Sequence, residues 1–194
     1  GTILTLSFLT REAERIEVIG PDSQPVTAAL IGVDYGSGLS LLKPSQPLRV
    51  APIEIGKSAA VGIGDFAIVA GAGNEGQVQM TRVVSRQEFA GTWEYYLDSA
   101  IFTAPAFADF SGAALLNSKG QLIGIGYLFT PITLAGFDLL PCNLFIPIDT
   151  LGPVLNDLKS AGRPRKANKP WLGINAQEAH GRVFITRVTE GGPA

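Results

Sequence analysis

The chain has 194 residues, 46% of them hydrophobic and 16% charged, with a formal net charge of −2. That is enough for one large packed domain, or one domain plus a fragment, and it excludes general disorder and a nucleic-acid binder working through a basic surface. One cysteine, Cys142, excludes an internal disulfide and a cysteine-based metal cluster, and one histidine, His180, excludes a histidine-rich metal site.

The opening residues, Gly1-Thr2-Ile3-Leu4-Thr5, carry no basic leader and no small-residue cleavage pattern, so no signal peptide is read there. Residues 2–8 form an apolar, β-branched run, and residues 15–18 alternate polar and apolar with period two. After a turn at residues 21–25, residues 26–33 read as another strand, and Asp34-Tyr35-Gly36-Ser37-Gly38 turns the chain into a strand at 39–43. Residues 48–55 continue the pattern, with Pro52 tending to place that strand at an edge. A strand is expected at 66–70, then a glycine-rich turn at 71–76, then an alternating strand at 77–84. The glycine-rich turn lacks the Lys-Ser/Thr pair and the following helix that phosphate cradling needs, so it reads as a plain hairpin turn.

Residues 109–117 read Asp109-Phe110-Ser111-Gly112-Ala113-Ala114-Leu115-Leu116-Asn117, followed by a Lys119-Gly120 turn and Leu122-Ile123-Gly124-Ile125-Gly126. This is the pattern of a β-hairpin with a serine at its mouth. The uncharged run from Lys119 to Asp138 is interrupted by Gly124, Gly126 and Thr130-Pro131; it reads as two buried strands and a turn, not a membrane span, and a soluble protein is expected. A last strand is predicted at 143–148. Thr150 is then expected to cap a helix carrying Leu151, Val154, Leu155 and Leu158 at helical spacing, ended by Gly162 and Pro164. Residues 163–169 form a basic, proline-containing linker that reads as a solvated tether. Residues 170–194 open a small β unit too short to be a domain alone. The short strands and Gly/Pro punctuation indicate an all-β barrel or sandwich.

The serine hairpin resembles the nucleophile hairpin of trypsin-like serine peptidases, usually worded Gly-Asn-Ser-Gly-Gly-Pro-Leu. The order of elements resembles the HtrA/Deg family of those peptidases over almost the whole chain. Ile3-Leu4-Thr5-Leu6-Ser7-Phe8-Leu9-Thr10 is similar to the family's Ile-Leu-Thr-Asn-x-His-Val-Val. Asp34 to Lys43 is similar to Asp-x-x-x-Asp-Leu-Ala-Leu-Leu-Lys. Leu144-Phe145-Ile146-Pro147-Ile148 resembles the Gly-Phe-Ala-Ile-Pro strand. Trp171-Leu172-Gly173-Ile174 resembles the Gly-Trp-Leu-Gly-Val entry into a PDZ module.

The resemblance implies a trypsin-like double antiparallel β-barrel at 1–162, the first barrel incomplete as the sequence is written, with a C-terminal helix. A linker at 163–169 and a truncated PDZ-like opening at 170–194 follow, with Trp171, Leu172, Gly173 and Ile174 as peptide-binding residues. Carried over position by position, the nucleophile falls on Ser111, the general-base histidine on Phe8, and the carboxylate that orients it on Gly38. The glycine whose N–H completes the oxyanion hole falls on Asp109. A serine needs a proton acceptor within hydrogen-bond reach to attack, and neither Phe8 nor Gly38 supplies one. The reading is therefore a catalytically inactive homologue acting by protein or peptide binding, with no cofactor and no metal. Phe8, Phe107 and Phe110 either fill the old cleft for binding or are ordinary core.

Two other readings stay open. One is a hydrolase using Ser111 with a non-histidine base, for which Lys43, Lys57 and Lys119 are the nearest candidates. The other is a purely structural subunit. The resemblance also implies an extracytoplasmic, typically periplasmic, address and the trimers common in the family, with no nucleic-acid partner; His180 reads as a surface turn residue.

Overall fold

The computed structural model describes residues 1–72, 77–90, 96–134, 136–165, 172–179 and 181–194. Four strands form an open sheet in the order β1-β4-β3-β2: β1 (Ile3–Leu6), β2 (Ile16–Ile19), β3 (Pro25–Asp34) and β4 (Leu39–Pro44). Six more close into an antiparallel barrel in the order β10-β7-β6-β5-β8-β9. These are β5 (Phe66–Ala70), β6 (Val78–Ala90), β7 (Tyr96–Ala104), β8 (Ala114–Leu116), β9 (Leu122–Leu134) and β10 (Phe137–Pro147). A single-turn helix α1 (Ser7–Thr10) follows β1, and helix α2 (Leu155–Ala161) follows the barrel. A separate hairpin pairs β11 (Ile174–Ala179) with β12 (Arg182–Val188). This is the all-β, trypsin-like arrangement that the sequence predicts, its first lobe an open sheet and its second a closed barrel.

Two apolar clusters hold it together. One fills the barrel with Ala67, Val69, Val83, Ile101, Leu115, Ile123 and Phe145, the inward members of strands that alternate. The other joins the lobes: Leu6, Leu39 and Leu41 of the open sheet share it with Tyr127, Leu144 and Ile146 of the barrel and with Leu158 of α2. α2 lies so close to β3 that a Cβ on Gly32 would stand 2.7 Å from the Leu158 carbonyl oxygen. Gly162, at φ +73, ends α2 in the left-handed cap position where glycine is favoured, as expected.

Three local expectations are corrected. Residues 48–55 form no strand; the segment links the lobes, with Arg49 at φ +50, and touches the ladder at one bridge, Ile55 to Leu122. Thr130-Pro131 is not a turn: β9 continues through it, with Pro131 opposite Pro141 of β10. A pair that has no N–H on either side fits a non-bonded position of an antiparallel ladder, so the prolines cost the sheet no hydrogen bond. Thr150 caps no helix; its hydroxyl donates to the Pro147 carbonyl at 2.8 Å within a 3₁₀ turn, and α2 begins later, at Leu155.

Candidate active site

The Ser111 hairpin forms as read. β8 pairs with both β5 and β9, and Asn117 builds the far tip by accepting from the Lys119 and Gln121 amides at 2.9 and 3.0 Å. At the near end, the Ala113 N–H donates to the Phe110 carbonyl at 2.9 Å, with Gly112 at φ +76. That is a turn with glycine at its third residue, which exposes Ser111 at the second. Gly112 N–H also donates to the Gly126 carbonyl, and Gly126 N–H to the Ala113 carbonyl, both at 2.8 Å. The Phe110 carbonyl lies across Gly126 so closely that a Cβ there would come within 1.9 Å of it. Gly126 is thus the floor on which the serine turn sits.

The chain entering that turn is pinned by Asn143 of β10. Its side chain is fully buried; Oδ1 accepts the Phe107 N–H at 2.6 Å and Nδ2 donates to the Phe107 carbonyl at 3.2 Å. A side-chain amide here does what a neighbouring strand would do for Phe107. Phe107 is core, packed where a Cβ on Gly71 would meet its ring at 2.6 Å, whereas Phe110 is half-buried. Asp109 lies exposed at the surface beside the turn, with its carbonyl against Gly71.

α1 faces this turn from the other lobe. Its single turn is fixed by Ser7 N–H to the Gly38 carbonyl (2.8 Å), Arg11 N–H to the Ser7 carbonyl (3.1 Å) and Thr10 Oγ1 to the same carbonyl (2.9 Å). The Thr10 hydroxyl also meets the buried Ser40 hydroxyl at 3.2 Å, anchoring the helix to β4. With Ser7 and Thr10 facing inward, Phe8 and Leu9 are left 45% and 48% exposed. The Phe8 ring packs on Tyr127 of β9 at 6.0 Å, tilted 58°, and Tyr127 meets Phe89 of β6 edge-on at 6.3 Å. Leu9 reaches within 3.9 Å of where a Gly112 Cβ would be. So α1 touches the barrel at Tyr127 and at the serine turn itself.

Gly38, at φ +77, donates its N–H to the Asp34 carbonyl at 2.9 Å and accepts from Ser7. The structure therefore brings Phe8 and Gly38 together through the adjoining peptides and brings α1 against the Ser111 turn. Asp34, the nearest carboxylate along the chain, is buried, and its Oδ1 accepts the Gly36 amide at 3.0 Å. Ser111 Oγ makes no hydrogen bond among the described residues. Lys43, Lys57 and Lys119 are exposed, and none is bonded to Ser111. Chemically, this alcohol has no hydrogen-bonded proton acceptor among the described residues.

Of the expected peptide-binding residues, Leu172 is exposed, Gly173 is buried at φ +71 and accepts the Thr189 N–H at 2.7 Å, and Ile174 starts β11 opposite Val188. Trp171, His180, residues 166–170 of the linker and residues 73–76 of the glycine-rich turn lie outside the described residues.

Sequence reasoning missed Tyr127, Leu9, Gly126 and Asn143. Asn143 carried a signal, a lone amide inside an apolar strand, and buried amides are there to be hydrogen-bonded. It also missed a hub outside the serine turn. Arg86 of β6 donates to the carbonyls of Ser58, Val61 and Ser99, and Asp149 accepts from the Ser58 and Ala59 amides at 3.2 and 2.8 Å. Burial lowers the Arg86 pKa, opposed by the nearby Asp149 charge. Burial pushes the Asp149 carboxyl up, but its hydrogen bonds from Ala59 and Ser58 and the Arg86 charge prevail and hold it below the usual range.

Comparison with known proteins places these features in a family. Residues 1–125 match the family model described as a trypsin-like peptidase domain. The periplasmic pH-dependent serine endoprotease DegQ of Escherichia coli (strain K12) is 34% identical over 180 residues, covering 92% of this chain and 38% of its own length. A probable periplasmic serine endoprotease DegP-like of Hahella chejuensis (strain KCTC 2396) is 29% identical over 182 residues, covering 93% and 37%. The chain thus spans well under half of these relatives. Among solved structures, the HtrA-type protease AlgW with decapeptide matches 99% of this chain and 61% of that one, with a TM-score of 0.71 at 22% identity. By its family model, its element order and its fold, the chain belongs to the trypsin-like peptidase family, in its HtrA/Deg branch.

Proposed function

We propose that this is a catalytically silent HtrA/Deg peptidase domain that acts by binding protein or peptide in extracytoplasmic protein quality control. In this reading Ser111 holds the nucleophile position, Phe8 and Gly38 stand where the base and its orienter would be, and Asp109 stands at the oxyanion-hole position. Residues 1–162 are the peptidase-like domain, 163–169 a linker, and 170–194 the opening of a PDZ-like module with Trp171, Leu172, Gly173 and Ile174 at its peptide site.

The observation that carries the proposal is the contact made by α1: it seats the Phe8 ring on Tyr127 and sets Leu9 against the Ser111 turn, and neither side chain is a proton acceptor. Serine acylation needs the hydroxyl proton to leave as the C–O bond forms, and loss of the serine–histidine machinery costs on the order of a million-fold in rate. A carboxylate at position 109 further opposes a developing negative charge nearby. The relatives are periplasmic serine endoproteases, which supports the address, and AlgW is seen with a decapeptide and with a tripeptide, which supports a peptide ligand. Among the described residues no helix is long and apolar enough to cross a membrane.

The test compares the wild-type chain with Ser111→Ala on unfolded casein, measuring cleavage by gel and retention by pull-down. Equal retention with no cleavage by either supports the reading. Cleavage that disappears in Ser111→Ala overturns it, and failure of both proteins to retain casein or C-terminal peptides favours a purely structural subunit.

A further inference from the structure

The segments that meet around the Ser111 turn carry almost no charge. Residues 2–10, 110–118 and 120–137 contain no charged side chain, and between Asp98 and Lys119 the one charge is Asp109. That carboxylate is exposed beside the turn and makes no hydrogen bond and no ion pair among the described residues. A negative group standing alone among uncharged segments is complementary to a positive group on a ligand.

A second feature stands at the other end of the same turn. Phe8 and Leu9 of α1 are large apolar side chains left half-exposed, because Ser7 and Thr10 take the inward positions. Both are backed by the barrel, Phe8 by the Tyr127 ring and Leu9 by the turn at Gly112. A backed, half-exposed apolar pair gives a ligand's apolar side chain a fixed surface to bury against. Ser111, itself exposed, lies between Asp109 and Gly112 along the turn.

Spacing and charge decide what kind of ligand fits. Asp109 and Gly112 are three positions apart, so they stand at most about 11 Å from each other, the reach of about three residues of extended chain. One peptide can therefore meet both features, setting an apolar side chain on Phe8 and Leu9 and a cation about three residues away on Asp109. Nucleic acids and anionic headgroups bring the wrong sign of charge to this carboxylate. In the reading proposed above, position 109 belongs to the oxyanion hole; with aspartate there, an anion's seat becomes a cation's.

We propose that the silent site selects peptides in which a lysine or arginine lies about three residues from a bulky apolar side chain, the cation pairing with Asp109 and the apolar group packing on Phe8 and Leu9. This rests on the peptide-binding reading above and adds the class of its ligand. The probes are three fluorescein-labelled nonapeptides of alanine, serine and glycine around a central leucine. Each carries lysine, glutamine or glutamate three residues away on both sides, and each is titrated with the full chain and read by anisotropy at low and high salt. The lysine peptide should bind about threefold tighter than the glutamine peptide and about tenfold tighter than the glutamate one, with the differences shrinking as salt rises. Asp109→Asn should abolish the preference and Asp109→Lys should reverse it, while Leu9→Ser weakens all three peptides about tenfold. The Asp109 side chain makes no bond among the described residues, so its variants should melt like the wild type. Equal affinity for the three peptides, a preference for lysine that survives Asp109→Lys, or unchanged binding in Leu9→Ser each overturns the proposal and leaves the general peptide-binding reading standing. No binding of any of the three also overturns it, and retention of casein then decides whether the broader reading falls with it.

Discussion

Gly126→Ala is the sharpest structural test of how the serine turn is built. A methyl group at Gly126 would stand 1.9 Å from the Phe110 carbonyl oxygen, against an ordinary contact of about 3.4 Å. The carbonyl must retreat by more than an ångström. It accepts the Ala113 N–H at 2.9 Å, and the same turn donates from Gly112 to the Gly126 carbonyl at 2.8 Å, so the retreat strains both bonds. Overpacking of this kind costs about 1–3 kcal/mol, and each lost hydrogen bond about 1 kcal/mol more. The expected loss is about 3–5 kcal/mol, a large part of the 5–15 kcal/mol typical of a domain. Urea denaturation followed by fluorescence measures it, with Gly152→Ala as the control; Gly152 is exposed and its nearest neighbour would lie at an ordinary 3.6 Å, so about 0.5 kcal/mol or less is expected there. If Gly126→Ala costs under 1 kcal/mol, the close packing of Phe110 on Gly126 is not what holds the turn.

Three further outcomes follow from the same geometry. Asn143→Ala leaves the buried N–H and carbonyl of Phe107 without their partner and should cost about 2–4 kcal/mol, with accelerated hydrogen exchange at the Phe107 amide; unchanged exchange there would contradict the clamp. Restoring both missing side chains in Phe8→His with Gly38→Asp should yield no casein cleavage and should cost about 1 kcal/mol or more, because Gly38 sits at φ +77 and Phe8 leaves its contact with Tyr127; recovered cleavage would show that the rest of the site is intact. Asp149 has a folded pKa below its unfolded value, so its contribution is present above about pH 4, where the unfolded carboxylate ionises, and is lost as pH falls through the lower folded value. Thermal melts between pH 2 and 6 should therefore fall more steeply for the wild type than for Asp149→Asn, and parallel curves would deny Asp149 that role.

Much of this molecule is legible from local pattern, and the limits are instructive. β5 at Phe66–Ala70 is read residue for residue because a turn bounds it on each side and its apolar run is short. The Ser111 hairpin is equally plain, since Gly112 and Gly120 mark its two turns. Residues 48–55 look like a strand in hydropathy, yet a strand exists only where a partner pairs with it, and nothing in Val50 or Ile53 announces that the partner is missing. β7 escaped notice because Ala100 to Thr103 are buried in succession, which erases the alternation. The prolines of β9 and β10 mislead singly and make sense only as the facing pair Pro131–Pro141.

The site divides the same way. Motif order places Ser111, Phe8, Gly38 and Asp109, and the fold brings α1 and its Gly38 contact to the serine turn. What motif order leaves unseen is what α1 rests on: Phe8 and Tyr127 lie far apart in sequence and meet only when the two lobes pack.

The central claim is that Ser111 cannot be activated where it stands. A fluorophosphonate probe, incubated with the folded wild-type chain and followed by intact-mass and peptide mass spectrometry, tests it most directly. The account predicts no more adduct on the wild type than on Ser111→Ala, while an active serine peptidase labels stoichiometrically in the same tube. One phosphonyl group per chain, mapped to Ser111, would contradict it.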